Sequence, residues 1–283
     1  MEAEHRFVLS CIDGSSNSDA VCDYGAWMAR MMSSPLKLIH AVEHQYIPAV
    51  ADLSGAIGLG SQTELLNELT TEGETRRKFL IEQGKKILQA GKQRCIDSGT
   101  TPIETIQRHG SILESLVELE PDVKMIVVGI RGQDHEQKSG IGTQLETMIR
   151  SIHRPILVVN KAFTAPKASM LAYDGSDNAN KALNMIASNL AFKDIPCHIV
   201  HVGKQGSDLL DKASKVLTDV GIKTTTKCLD GKIEDALSDY QIENDIDVML
   251  MGAFSHTRVR GLLLGSFTAK MLAKTNRPLF LLR

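Results

Sequence analysis

The chain carries one pattern twice. A short apolar run closed by Asp-Gly-Ser, Phe7-Val-Leu-Ser-Cys-Ile-Asp13-Gly-Ser, returns 161 positions later as Ala168-Ser-Met-Leu-Ala-Tyr-Asp174-Gly-Ser. Leu36-Lys-Leu-Ile-His40-Ala-Val returns at the same offset as Cys197-His-Ile-Val-His201-Val-Gly. Further on, Val123-Lys-Met-Ile-Val-Val-Gly129 matches Val248-Met-Leu-Met-Gly252, Gly142-Thr143 matches Gly265-Ser266, and Arg154-Pro-Ile-Leu-Val-Val matches Arg277-Pro-Leu-Phe-Leu-Leu, now at an offset of 123. The first copy therefore holds about 38 more residues between its second apolar run and its glycine motif. A length of 283 residues suits two domains. They are expected at 1–162, with an insertion at about 46–80, and at 163–283, joined near Asn160 to Ala168, where Pro166 and small residues break the pattern.

Within each copy, short Val/Ile/Leu-rich runs alternate with longer amphipathic segments. Continuous apolar runs suit strands buried on both faces, and their alternation with helices implies right-handed βαβ units. Strands are expected near 6–12, 36–42, 103–108, 123–129 and 155–160, and again near 169–173, 197–202, 222–228, 247–251 and 278–282. The fold class is α/β: two tandem, doubly wound, parallel five-stranded sheets of Rossmann-like type. The last run of each copy is apolar and closes its sheet, and an apolar edge invites pairing. The halves are expected to meet through these edges, or through the equivalent edges of a second chain. In the insertion, the glycine-rich 51–61 reads as a loop and Glu74 to Ile96 as a helix; the segment is either a lid at a ligand mouth or a surface elaboration.

Open sheets of this kind bind ligands beyond the carboxyl ends of their strands, where Asp-Gly-Ser and the glycine motifs both fall. The motif is Gly129-Ile-Arg-Gly132, nine residues, then Gly142-Thr143. A bare Cα at Gly129 lets backbone approach an anion closely. Gly142 and Thr143 open a helix, expected over 144–151, whose free N–H groups and dipole suit phosphate; Thr143 can cap it or donate its hydroxyl. Asp13, at the end of the first strand, can accept a hydrogen bond from a ribose hydroxyl. Paired glycines also serve ordinary turns, but their repetition at matching strand ends favours a site.

This combination resembles the universal stress protein family, whose ATP-binding signature is G-x-x-G, nine residues, then G-[S/T]. The Asp-Gly-Ser opening, the ends of the second strands and the closing Arg-Pro run are similar to that family too, twice, over nearly the whole chain. The resemblance implies an adenine nucleotide α-hydrolase-like fold. It also implies that Asp13 contacts ribose, that the backbone at Ala41 borders adenine, and that Gly129, Gly132, Gly142 and Thr143 surround the phosphates. The matching positions of the second half are Asp174, Val202, Gly252, Ser255, Gly265 and Ser266. Ser255 stands where the motif has its second glycine, so the first half is the safer site. The implied cofactor is ATP, with ADP, AMP and accompanying Mg²⁺ left open.

Other candidates are weaker. Arg131 and Lys138, and Arg258 and Arg260, lie between the glycines as phosphate clamps or as solvated loop charges. His198 and His201 have metal-like spacing, but on a strand residues three apart face opposite ways. His40 and His201 recur at one position and suggest a structural ring bonded near the strand end. Cys11 and Cys22 read as core. The five cysteines are scattered with no C-x-x-C pair, which fits a reducing cytoplasm. A net charge of −2 gives no broad basic surface for nucleic acid, and no apolar stretch has the ~20 residues of a membrane span. No Walker A lysine, G-x-S-x-G elbow or paired carboxylates stand out, and no catalytic residue is assigned. The expectation is a cytoplasmic ATP-binding stress regulator. The alternatives are a nucleotide-free dimerising scaffold and a slow ATP hydrolase or adenylyl-transfer enzyme.

Overall fold

A computed structural model of the chain describes residues 6–42, 59–132, 143–204, 206–253 and 266–283. The first half runs β1 (Phe7–Cys11), α1 (Ser18–Met31), β2 (Leu36–Val42), α2 (Leu59–Asp97), β3 (Ile103–His109), α3 (Ile112–Leu119), β4 (Val123–Gly129), α4 (Thr143–Ser151) and β5 (Ile156–Val159). The second repeats the order: β6 (Ser169–Ala172), α5 (Asp177–Ser188), β7 (Cys197–Val202), α6 (Ser207–Asp219), β8 (Thr224–Leu229), α7 (Ile233–Glu243), β9 (Val248–Gly252), α8 (Ser266–Lys274) and β10 (Leu279–Leu282).

The strands form one ten-stranded sheet in the order β3-β2-β1-β4-β5-β10-β9-β6-β7-β8. Every pairing is parallel except the central one, where β5 and β10 run antiparallel with Leu279 opposite Val158, Phe280 opposite Leu157 and Leu281 opposite Ile156. The apolar edges of the two halves thus satisfy each other within one chain. Both edges are all apolar and all four residues of each are buried. The outermost strands, β3 and β8, carry mostly polar residues and stay largely exposed, as free edges do.

A core lies on each face of the sheet. On one face α1, α5 and α6 bury Tyr24, Met28, Leu183 and Leu217 over Leu38, Val127 and Leu250. On the other, Leu116, Ile149, Leu237 and Met271 of α3, α4, α7 and α8 cover Leu9, Ile126 and Met249. The apolar runs of β1, β4 and β9 are buried on both faces because helices cover both.

Within the described residues the insertion is helix from Leu59 onward. α2 spans 39 residues against 13 in α6, and Leu59 to Ser61, read as part of a glycine-rich loop, already belong to it. Residues 43–58 lie outside the described part. Two packing pairs align the helices: a Cβ on Gly14 would lie 2.9 Å from Ile87, and one on Gly175 would lie 2.8 Å from Leu209. Gly84 packs on the ring of His40 as Gly206 packs on His201. The part of α2 from Gly84 onward is therefore the counterpart of α6, and the earlier turns are the addition. Those turns carry the exposed Phe79.

The segment between the halves is docked. Phe163 sits against Tyr24, with ring centroids 4.8 Å apart, and against Trp27 at 6.2 Å. Asn160 Nδ2 donates to the carbonyls of Thr275 and Arg277 at 2.8 and 3.1 Å. Among the described residues no helix is long and apolar enough to cross a membrane.

Candidate functional site

β1 ends in a turn built by its own sequence. Asp13 Oδ1 accepts from Ser15 N at 2.9 Å and from Ser18 Oγ at 3.1 Å, and Ser18 Oγ accepts from Gly14 N at 2.9 Å. This Asx turn requires Gly14 at φ +81°, where a side chain is strained. The second half repeats it: Asp174 Oδ1 accepts from Ser176 N at 3.0 Å, Gly175 sits at φ +75°, and Ser176 caps α5 through Ala179 N.

Two asparagines, which sequence reasoning missed, tie this turn to the glycine motif. Asn17 Nδ2 donates to the carbonyl of Arg131 at 3.1 Å, and Asn178 Nδ2 to that of Ala253 at 2.7 Å. Each packs against its strand-end glycine: a Cβ on Gly129 would stand 2.9 Å from Asn17 Cβ, and one on Gly252 would stand 2.8 Å from Asn178 Cβ. The bare Cα at these positions therefore makes room for the asparagine, a different use from the approach of an anion. The missed signal was visible: both asparagines stand four residues after the repeated aspartate. Gly132 lies beside the carboxylate, since a Cβ there would come within 2.8 Å of Asp13 Oδ2.

At the end of β2, His40 Nδ1 lies 2.9 Å from the carbonyl of Ile12; a carbonyl only accepts, so the proton is on Nδ1. His201 makes the same bond to Tyr173 at 2.9 Å. The repeated histidines hold the strand ends, as expected from their recurrence. Ile39 gives its carbonyl to Ile12 N at 2.9 Å. The two-residue alternation of a strand then turns the N–H and C=O of Ala41 to the same side, toward the gap opened as β1 leaves the sheet.

A cavity of about 280 Å³ occupies that gap. Asp13, Ala41, Gly129, Gly132 and Arg131 border it, while Leu80, Ile87, Ile112 and Met148 supply apolar wall from α2, α3 and α4. The structure thus brings four of the six first-half candidates together. Thr143 begins α4 as described here, and Ser266 begins α8. Gly142, Ser255 and Gly265 lie outside the described residues, as do Lys138, Arg258 and Arg260. In the second half Val202 and Gly252 end β7 and β9 and Asp174 lies two residues past β6, these strands being the counterparts of β2, β4 and β1.

Cys11 borders the cavity, but burial and then the Asp13 charge push its thiol up to about 12, so it is protonated at neutral pH. Cys22 has a neighbour the sequence did not reveal: Cys95 of α2 donates to the Cys22 carbonyl at 3.6 Å, and both are buried. His198 and His201 part company as strand geometry requires, His198 bonding Tyr240 Oη at 2.9 Å and His201 the Tyr173 carbonyl.

Comparison with known proteins gives the family and the fold. The sequence model of the Universal stress protein family matches residues 5–160 and 203–283. A universal stress protein of Synechocystis sp. is 35% identical over 284 residues, 98% of this chain and 99% of that one. One of Mycolicibacterium smegmatis is 20% identical over 298 residues, covering 98% and 96%. Among solved structures, that of a universal stress protein from Archaeoglobus fulgidus superposes with a TM-score of 0.77 at 17% identity, covering 100% of this chain and 99% of that one. With the fold repeated in both halves, the chain belongs to the universal stress protein family, in tandem form.

Proposed function

We propose that the first-half cavity binds an adenine nucleotide, ATP ahead of ADP and AMP, and that the chain is a nucleotide-dependent regulator of a stress response in the cytoplasm. The observation that carries this reading is the convergence of Asp13, Ala41 and Gly132 on one cavity at the carboxyl ends of β1, β2 and β4. The apolar wall suits a purine, the turned-out backbone of Ala41 suits its polar edge, and Asp13 suits ribose hydroxyls. The Gly129–Gly132 turn and the start of α4 suit phosphates, through close backbone at Gly132 and the positive end of the helix dipole. Thr143, and Gly142 before it in sequence, would take the phosphate end, where Mg²⁺ would accompany the nucleotide. In the second half Asp174, Val202, Gly252, Gly265 and Ser266 take the same roles, and Ser255 in place of glycine makes that site the weaker.

Because β5 and β10 pair inside the chain, a scaffold that dimerises through those edges has no free edge left there. Thermal shift tests the reading: a ligand at one hundred times its Kd stabilises the native state by about 2.7 kcal/mol. ATP is expected to raise Tm in the wild type and to leave Gly142→Trp unmoved. No rise at millimolar Mg-ATP in the wild type would overturn it.

A further inference from the structure

Gly84 marks the point where α2 comes down on the sheet. A Cβ there would lie 2.6 Å from His40 Cδ2, and Gln107 Nε2 stands closer still. Gln107 donates that amide to the carbonyl of Ile81, three residues earlier in the helix, at 2.9 Å. A bare Cα at residue 84 and a bond from β3 to the turn before it thus hold the added turns of α2 against the ends of β2 and β3. Ile87, one turn later, reaches Gly14 beside Asp13. Residues 80, 83, 84 and 87 share one helical face. The face that rests on His40 and Gly14 therefore also brings Leu80 and Gln83 to the strand-end cavity, which both of them line.

The second half is built differently at this point. Gly206, the counterpart of Gly84, caps the start of α6, and the place of Leu80 falls on Val202, the last residue of β7. Gln205 precedes Gly206 as Gln83 precedes Gly84, but it lies outside the described residues. Gln83 itself is exposed and has no hydrogen-bond partner among the described residues. Its amide keeps two donors and an acceptor for a ligand, beside the apolar surface of the half-buried Leu80.

In the sheet, β2 lies on one side of β1 and β4 on the other. Leu80 and Gln83 stand on the β2 side with Ala41, whereas Gly129 and Gly132 follow β4. Resting on the nucleotide reading of this cavity, we infer that the added turns of α2 are a wall for the nucleoside part of the ligand. Leu80 covers the nucleoside and Gln83 hydrogen-bonds it, so both act on base and ribose and neither on the phosphates. They set the affinity of the first half for every adenine nucleotide alike, whatever its number of phosphates.

Isothermal titration of the full chain carrying Gly265→Trp, which blocks the second half, compares ATP, ADP and AMP. Added to that parent, Leu80→Ala is expected to weaken all three by one common factor, roughly tenfold. Gln83→Ala should weaken them by a common factor of about three to five. Leu80→Met, which keeps the volume, should bind within about twofold of the parent. A parent that binds none of the three at millimolar concentration would overturn the nucleotide reading itself. A parent that binds, with Leu80→Ala or Gln83→Ala binding as it does, would overturn the wall and leave that reading standing. So would losses that grow with the number of phosphates, or a Leu80→Met chain as weak as Leu80→Ala.

Discussion

Asn17 occupies the space that a side chain on residue 129 would need, its Cβ lying 2.9 Å from where one on Gly129 would stand. The same pair recurs as Asn178 and Gly252, where the backbone N of Ala179 adds a second obstacle at 3.0 Å. Overpacking of this kind costs about 1–3 kcal/mol. Gly129→Ala is expected to destabilise within that range, and Gly252→Ala by more, because backbone yields less readily than a side chain. Urea unfolding of the two variants measures both; a Gly129→Ala protein as stable as wild type would refute the packing argument.

Much of the fold was legible because burial and sequence pattern agree. β2 and β4 fall on the expected spans, because their buried apolar residues set the pattern despite Lys37, His40 and Lys124 within them. β8 begins at Thr224, two residues late, because Ile222 N bonds the Leu217 carbonyl and so closes α6 before the strand starts. α2 was read short: the helix expected from Glu74 begins at Leu59, inside the glycine-rich stretch 51–61 that was read as a loop. Of the site, the residues at strand ends were legible. The Gly84–His40 and Gly206–His201 contacts were not: the two glycines are 122 apart, an offset that neither set of sequence matches shares.

His198 gives the protein a dependence on mild acid. Burial holds its imidazole below the ordinary value of about 6.5, with Tyr240 Oη at 2.9 Å on one side and Thr225 opposite it on β8. A depressed histidine means that the unfolded chain binds the proton first. This contribution to stability is therefore intact above the unfolded value and declines as pH falls from about 7 toward the folded value. His198→Phe is expected to flatten the fall of Tm between about pH 7 and 5. An unchanged slope would remove His198 as its source.

The thiols should divide sharply. Cys228 is exposed, whereas Cys22, Cys95 and Cys197 are buried and Cys11 and Cys197 are both pushed up to about 12 by burial. A thiol reagent at neutral pH is expected to label one cysteine quickly in the native protein and the rest only on unfolding. Cys228→Ser should abolish the fast phase. A fast phase that survives would place a reactive thiol in the core and contradict the packing of α1 against α2.

The central claim is that the strand-end cavity of the first half holds an adenine nucleotide. Native mass spectrometry of the full chain, after incubation with millimolar Mg-ATP, counts bound nucleotide directly. The expected result is at least one adenine nucleotide per chain in the wild type and in Gly265→Trp, with the first-half nucleotide lost in Gly142→Trp. A wild-type chain that carries none under those conditions, or a Gly142→Trp chain that binds as the wild type does, would contradict it.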